Sequence, residues 1–130
     1  MGIIRQKLRL ANFARDDLEE VDALALVDTG SLELRIPQHV ANQLRLKKLE
    51  DREMTLASGE KMVVPYVGGV QIEVFGRHTV QSANVLGDEV LLGAIPMEAM
   101  DLVIHPARLS VVPNPDSPNI PASLAKGVRS

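Results

Sequence analysis

In the stretch Leu24-Ala25-Leu26-Val27-Asp28-Thr29-Gly30-Ser31, four apolar residues run straight into a carboxylate, followed at once by two hydroxyls around a glycine. Asp and Gly together form ordinary turns. A carboxylate held at the end of a buried strand can also act as a base toward water, or as a nucleophile. An aspartyl-phosphate site needs further acidic residues for Mg²⁺, and the residues after Asp28 are Thr, Gly and Ser, so water activation is the stronger reading. Ser31 lacks the Gly-x-Ser-x-Gly frame of a serine nucleophile. Asp88-Glu89 offers a second carboxylate within the chain, but its setting is that of a turn between strands. His39, His78 and His105 lie apart, with no metal-ligand spacing. Gly68-Gly69 is not followed by the Lys-Ser/Thr of a phosphate loop and reads as a bend or bulge. Cysteine is absent, which removes thiol catalysis, disulfides and zinc ribbons.

The elements that must carry Asp28 are mostly strands. Residues 3–13 alternate loosely and predict a strand with one solvated face, followed by the charged turn Ala14–Glu20. Val21–Val27 is apolar at nearly every position, as a strand covered on both faces is. Pro37 opens a helical pattern with Val40 and Leu44, which predicts a short helix over 37–45. Arg52–Leu56 and Lys61–Val67 flank Ala57-Ser58-Gly59-Glu60 and predict a β-hairpin. Gly69–Phe75 and His78–Leu86 predict a second hairpin, turned at Gly76-Arg77. Val90–Leu92 is a short apolar run ended by Gly93, residues 96–104 hold one or two helical turns, and Ala107–Val112 is a last short strand. With 45% hydrophobic but only 2% aromatic residues, the core rests on Leu, Val, Ile, Ala and Met, and Met54, Met62, Met97 and Met100 read as packing residues. From Pro113 onward prolines dominate, and residues 114–130 read as a disordered tail.

With its elements in this order the sequence resembles the retropepsin-like aspartic proteases, single-domain relatives of pepsin. The resemblance rests on "LVDTGS" at 26–31, "MTLASGEKMVV" at 54–64, "IEVFGRHTV" at 72–80 and "LLGAIPMEAM" at 91–100, and it covers residues 3–113. It implies an all-β, retropepsin-like closed barrel with a flap hairpin and one or two short helices, forming one domain over residues 1–113. It implies Asp28 as the catalytic carboxylate of an aspartic endopeptidase. Thr29 braces the partner loop, Gly30 lets the backbone pass close under the carboxylates, and Ser31 donates to the outer carboxylate oxygen. Leu91, Leu92 and Gly93 form the structural loop behind the site, and Ala57, Ser58, Gly59 and Glu60 form the flap tip. The family's flap tip is glycine-rich, whereas this one has a single glycine and a charge.

Hydrolysis without a metal or a covalent intermediate needs both a base and an acid. Two carboxylates about 3 Å apart supply both by sharing one proton, as aspartic-protease dyads do. This chain contains one Asp-Thr-Gly and, at 130 residues, is too short for both halves of a pepsin-like enzyme. A homodimer with the site on its two-fold axis supplies the second Asp28. A retropepsin-like dimer that binds peptides without cutting them is the alternative. No cofactor or metal is expected. With 14 Lys+Arg against 17 Asp+Glu the net charge of -3 argues against nucleic acid as a partner. No apolar run is long enough to span a bilayer and no signal peptide is evident, so no membrane partner and a cytoplasmic location are expected. The expected partners are a second copy and a peptide or protein substrate.

Overall fold

The computed structural model describes residues 3–125 and 127. In chain order its elements are β1 (Ile4–Asn12), β2 (Val21–Val27), β3 (Leu34–Ile36), α1 (Gln38–Gln43), β4 (Lys47–Thr55), β5 (Lys61–Val74), β6 (Arg77–Val85), β7 (Leu91–Leu92), α2 (Ala94–Ala99), β8 (Leu102–His105) and β9 (Ser110–Pro113). Six strands close a ring in the order β1-β2-β7-β3-β6-β5, with β5 returning to β1. The β2–β7 and β3–β6 pairings are parallel and the others antiparallel, so the barrel is mixed. This is the closed all-β barrel with a projecting hairpin and two short helices that the motifs implied.

Closure depends on β5, which is one strand of 14 residues rather than the two strands expected on either side of Gly68-Gly69. Its first half, up to Gly68, pairs with β4, and its second half, Val70–Glu73, pairs with β1. The change of partner falls on the glycines, where the register with β6 also slips between Val67 and Val70. A Cβ on Gly68 would come within 2.9 Å of Ser82 Oγ, so the strands pass closely here and a larger residue would need that side chain to turn aside. The pair is therefore the bulge of a continuing strand and not its end. Tyr66 and Val67 still pair with β6, and from Pro65 back to Lys61 β5 runs on with β4 as a two-stranded arm; β4 has no buried residue.

Inside the ring, Leu10, Leu34, Ile36, Leu44, Val70, Ile72, Val74, Leu92 and Met100 are almost wholly buried. Aliphatic side chains and Met fill the space, as the composition requires. Met97 and Met100 are core residues, whereas Met54 and Met62 are half-buried and face each other across the β4–β5 arm. The expected helix over 37–45 is shorter. Pro37 is extended (ψ 159°) and caps α1 instead of entering it, and Arg45 (φ 49°) ends the helix in the left-handed region.

The β8–β9 hairpin forms a separate two-stranded sheet. Residues beyond it, in the segment expected as a disordered tail, are tied to the corner after α2. Asp101 accepts from Asn114 Nδ2 at 3.0 Å, from the Ala122 N–H at 2.9 Å and from Ser117 Oγ. The buried Arg77 guanidinium donates to the Asp101 carbonyl at 2.9 Å and to the Ser117 carbonyl. Residues 126 and 128–130 of that segment lie outside the described residues.

Donation from Ser117 first, then from Asn114 and the Ala122 amide, lowers the Asp101 carboxyl from 3.8 to about 2. A depressed carboxyl contributes its stabilisation fully above its ordinary value and loses it as pH falls toward the folded one. The Ala122 amide resonance is therefore expected to hold its docked position above pH 3.8 and to move away as pH falls to about 2, followed by NMR titration. In Asp101→Asn the resonance should start displaced and show no such step.

Candidate active site

β2 lies between β1 and β7, which brings Asp28 to the rim of the barrel. Its burial alternates, with Asp22 and Leu24 exposed, so one face is open to solvent where cover on both was expected. The Leu26 N–H donates to the Val90 carbonyl at 2.8 Å and the Asp28 N–H to the Leu92 carbonyl at 3.0 Å, so the parallel ladder runs up to the carboxylate-bearing residue. The chain then turns. The Ser31 N–H donates to the Asp28 carbonyl at 3.1 Å, while the side chain stays half-exposed.

Both carboxylate oxygens of Asp28 are engaged within the loop. The Gly30 N–H donates to Oδ1 at 3.0 Å and Ser31 Oγ donates to Oδ2 at 3.1 Å. The two donors set the plane of the carboxylate and leave its outer face to solvent. Thr29 and Gly30 are exposed. The four residues expected at the site thus form one compact loop.

Leu91, Leu92 and Gly93 stand behind that loop, all buried. A Cβ on Gly93 would lie 2.5 Å from the Glu33 carbonyl oxygen and 2.7 Å from the Leu32 carbonyl carbon, closer than real Cβ contacts come. Only glycine lets the two backbones pack so tightly. α2 begins immediately afterwards, and its first free N–H groups find acceptors in the Asp28 loop. Ala94 donates to the Ser31 carbonyl at 2.8 Å and Ile95 to the Leu32 carbonyl at 2.9 Å. Leu32, in the loop after Asp28, and Ile95, bonded to it through the backbone, carry exposed apolar side chains, 65% and 45% exposed, which the motif reading had not singled out.

Ala57, Ser58, Gly59 and Glu60 lie at the exposed tip of the β4–β5 arm. The Leu56 N–H donates to the Glu60 carbonyl and the Gly59 N–H to the Leu56 carbonyl, each at 2.8 Å, with Gly59 at φ 85°. The arm meets the site loop at its base. Glu33 accepts from Asn84 Nδ2 at 2.8 Å, and its other oxygen lies 3.6 Å from Arg52 Nη1 on β4. Arg52 also pairs with Glu50 at 3.0 Å and sits 3.6 Å above the Tyr66 ring. Sequence reasoning missed this link. Its one local signal is the outward-facing Glu33 in the alternating stretch Leu32–Ile36.

The other candidates stay apart from Asp28. Glu89 pairs with Arg5, and His78 lies 3.7 Å from Glu73 on the adjoining strand. His105 Nδ1 accepts from the Arg108 N–H at 3.1 Å. Among the described residues no group of three or more His, Asp or Glu side chains could hold a metal ion.

Gly93→Ala is expected to destabilise the fold by about 1–3 kcal/mol through overpacking. Urea unfolding measures the loss. The Asp28 loop should shift with it, seen as displaced Gly30 and Ser31 amide resonances, while those of α1 stay in place.

No protein-family model and no curated protein matches the chain. Among solved structures it is similar to one titled "Solution structure of Simian Foamy Virus (mac) protease", at 14% identity and a TM-score of 0.49, over 71% of this chain and 91% of that one.

Proposed function

We propose that the chain is an aspartic endopeptidase whose working form is a homodimer with two Asp28 carboxylates facing each other. The observation that carries this reading is the setting of Asp28. It is a half-exposed carboxylate fixed by one backbone and one hydroxyl donor at the rim of a barrel. Such preorganisation suits a group that must present one face to a reacting water.

In this reading one Asp28 of the pair is ionised and the other carries the shared proton. The ionised carboxylate takes a proton from water as the water oxygen bonds to the peptide carbonyl carbon. The protonated one gives its proton to the carbonyl oxygen, which forms a neutral gem-diol. Return of a hydroxyl proton to a carboxylate, and transfer of a proton to the nitrogen, break the C–N bond and leave an acid and an amine. Thr29 reaches toward the partner loop. Leu32 and Ile95 offer apolar contact to side chains flanking the scissile bond. The arm tip, Ala57–Glu60, closes over the bound chain and excludes water.

Purified Asp28→Asn is expected to lose peptidase activity by about 10²–10⁴-fold or more, with an unchanged melting curve. Retained cleavage in that variant would end the proteolytic reading, and tight peptide binding by the wild type without any cleavage would favour the non-cutting dimer.

The arm tip should exchange its amide hydrogens quickly in the free protein, because its bonds are local and its side chains exposed. Binding of a non-hydrolysable peptide is expected to slow exchange at Ala57–Glu60. Equal exchange with and without the peptide would remove the closing role.

A further inference from the structure

The chain holds two phenylalanines, and both are exposed. Phe75 is also strained. It opens the two-residue turn between β5 and β6, where Val74 pairs with Arg77 and both central residues have positive φ, 53° at Phe75 and 74° at Gly76. Hairpin turns of that kind favour Asn, Asp or Gly at the first position, because a bulky side chain is strained at positive φ. Burial does not offset the strain, since Phe75 is 54% exposed. A strained residue that the core does not use points to a function.

Phe75 lines a cleft of about 710 Å³ on the outer face of the barrel, and two rows of side chains cross it. In one row Lys7 of β1 faces Leu24 of β2, which is 53% exposed. The Lys7 stem adds apolar surface to that of Leu24 and Phe75. In the other row Arg9 of β1 lies between Asp22 of β2 and Glu73 of β5. Arg9 is taken up by Asp22 at 2.9 Å and by Glu20 at 3.2 Å. Glu73 has His78 at 3.7 Å, a partner charged only when protonated. Three carboxylates thus share one guanidinium, and the row carries surplus negative charge. Its complement is a cation set beside an apolar side chain. The rows lie two residues apart on β1, the spacing at which side chains of an extended chain fall on one face.

We propose that this cleft docks an extended segment of a partner protein, one that carries a large apolar residue and, two positions along, a Lys or Arg. The apolar side chain packs on Leu24 and Phe75, and the cation joins the row of Asp22 and Glu73. The cleft shares no residue with the Asp28 loop, so docking stands or falls apart from the proteolytic reading.

NMR titration of the full chain carrying Asp28→Asn, with the probe acetyl-Ser-Phe-Ser-Arg-Ser-amide, reads docking without cleavage. Saturable movement is expected at the Leu24, Glu73 and Phe75 amides, with those of Gly30 and Ser31 in place. The same probe with Glu in place of Arg should bind at least about fivefold more weakly, because like charges then meet. Adding Asp22→Lys together with Glu73→Lys should invert that preference. Should this variant not fold, Glu73→Gln keeps the shape and should still bring the two probes closer in affinity. Phe75→Asn separates docking from folding. It removes apolar contact but suits the turn, so the probe should bind at least about threefold more weakly while the protein melts no lower than its parent. No saturable movement at the cleft, or movement at Gly30 and Ser31 instead, overturns the docking site. So does equal affinity for the two probes, a preference that survives the charge changes, or a Phe75→Asn protein that melts lower and binds as before.

Discussion

The Asp28 N–H and the Leu92 carbonyl are 3.0 Å apart, and the geometry of the site follows from that bond. It fixes β2 against β7 in parallel register, so the loop after Asp28 must pass directly over Gly93. The missing Cβ of Gly93 gives the loop room, and the carbonyls of Ser31 and Leu32 then lie where the first amides of α2 need acceptors. One close approach of backbone to backbone thus positions the carboxylate, satisfies the helix start and exposes Leu32 and Ile95. Side-chain packing contributes little to this arrangement. Its tolerance is accordingly small, because backbone cannot repack as a flexible side chain can.

The barrel and the arm share one strand. β5 spends its first half on β4 and its second half on β1, and changes partner over two glycines. The arm is therefore a direct extension of a core strand. Among the described residues its one charged tie to the site loop is the contact of Arg52 with Glu33, both partly exposed, and such pairs contribute little to stability. A weak tie at the base and a rigid strand beneath it describe an arm that can bend without disturbing Ile72 or Val74 below.

Much of this could be read along the chain wherever the cause is local. Asp28, Thr29, Gly30 and Ser31 are contiguous and follow a run of apolar residues, so their loop and the strand beneath it were readable together. Leu91-Leu92-Gly93 carries the same kind of signal. What escaped depends on partners distant in sequence. Gly68-Gly69 reads as a bend or bulge, and the register slip there agrees. Yet the strands on either side look separate, because nothing nearby says that one edge of β5 serves two different strands. Glu33, Arg52 and Asn84 come from three separate segments. The segment after Pro113 has too few apolar residues for a core of its own, yet composition is silent on what such a segment can lean on. Here it leans on Asp101, itself steadied through the buried Arg77.

The scarcity of aromatic rings has an optical consequence. The chain has no Trp and a single Tyr, and that ring lies under the Arg52 guanidinium at the base of the arm. Nearly all near-ultraviolet absorption and intrinsic emission of the folded protein therefore originates at one place, between the site loop and the arm. A guanidinium stacked on a phenol alters both the intensity and the circular dichroism of its transitions. The native chain thus carries an unlabelled reporter of the contact between Arg52 and Tyr66, in effect a spectroscopic gauge of how the arm sits, with no second chromophore of comparable strength to mask it.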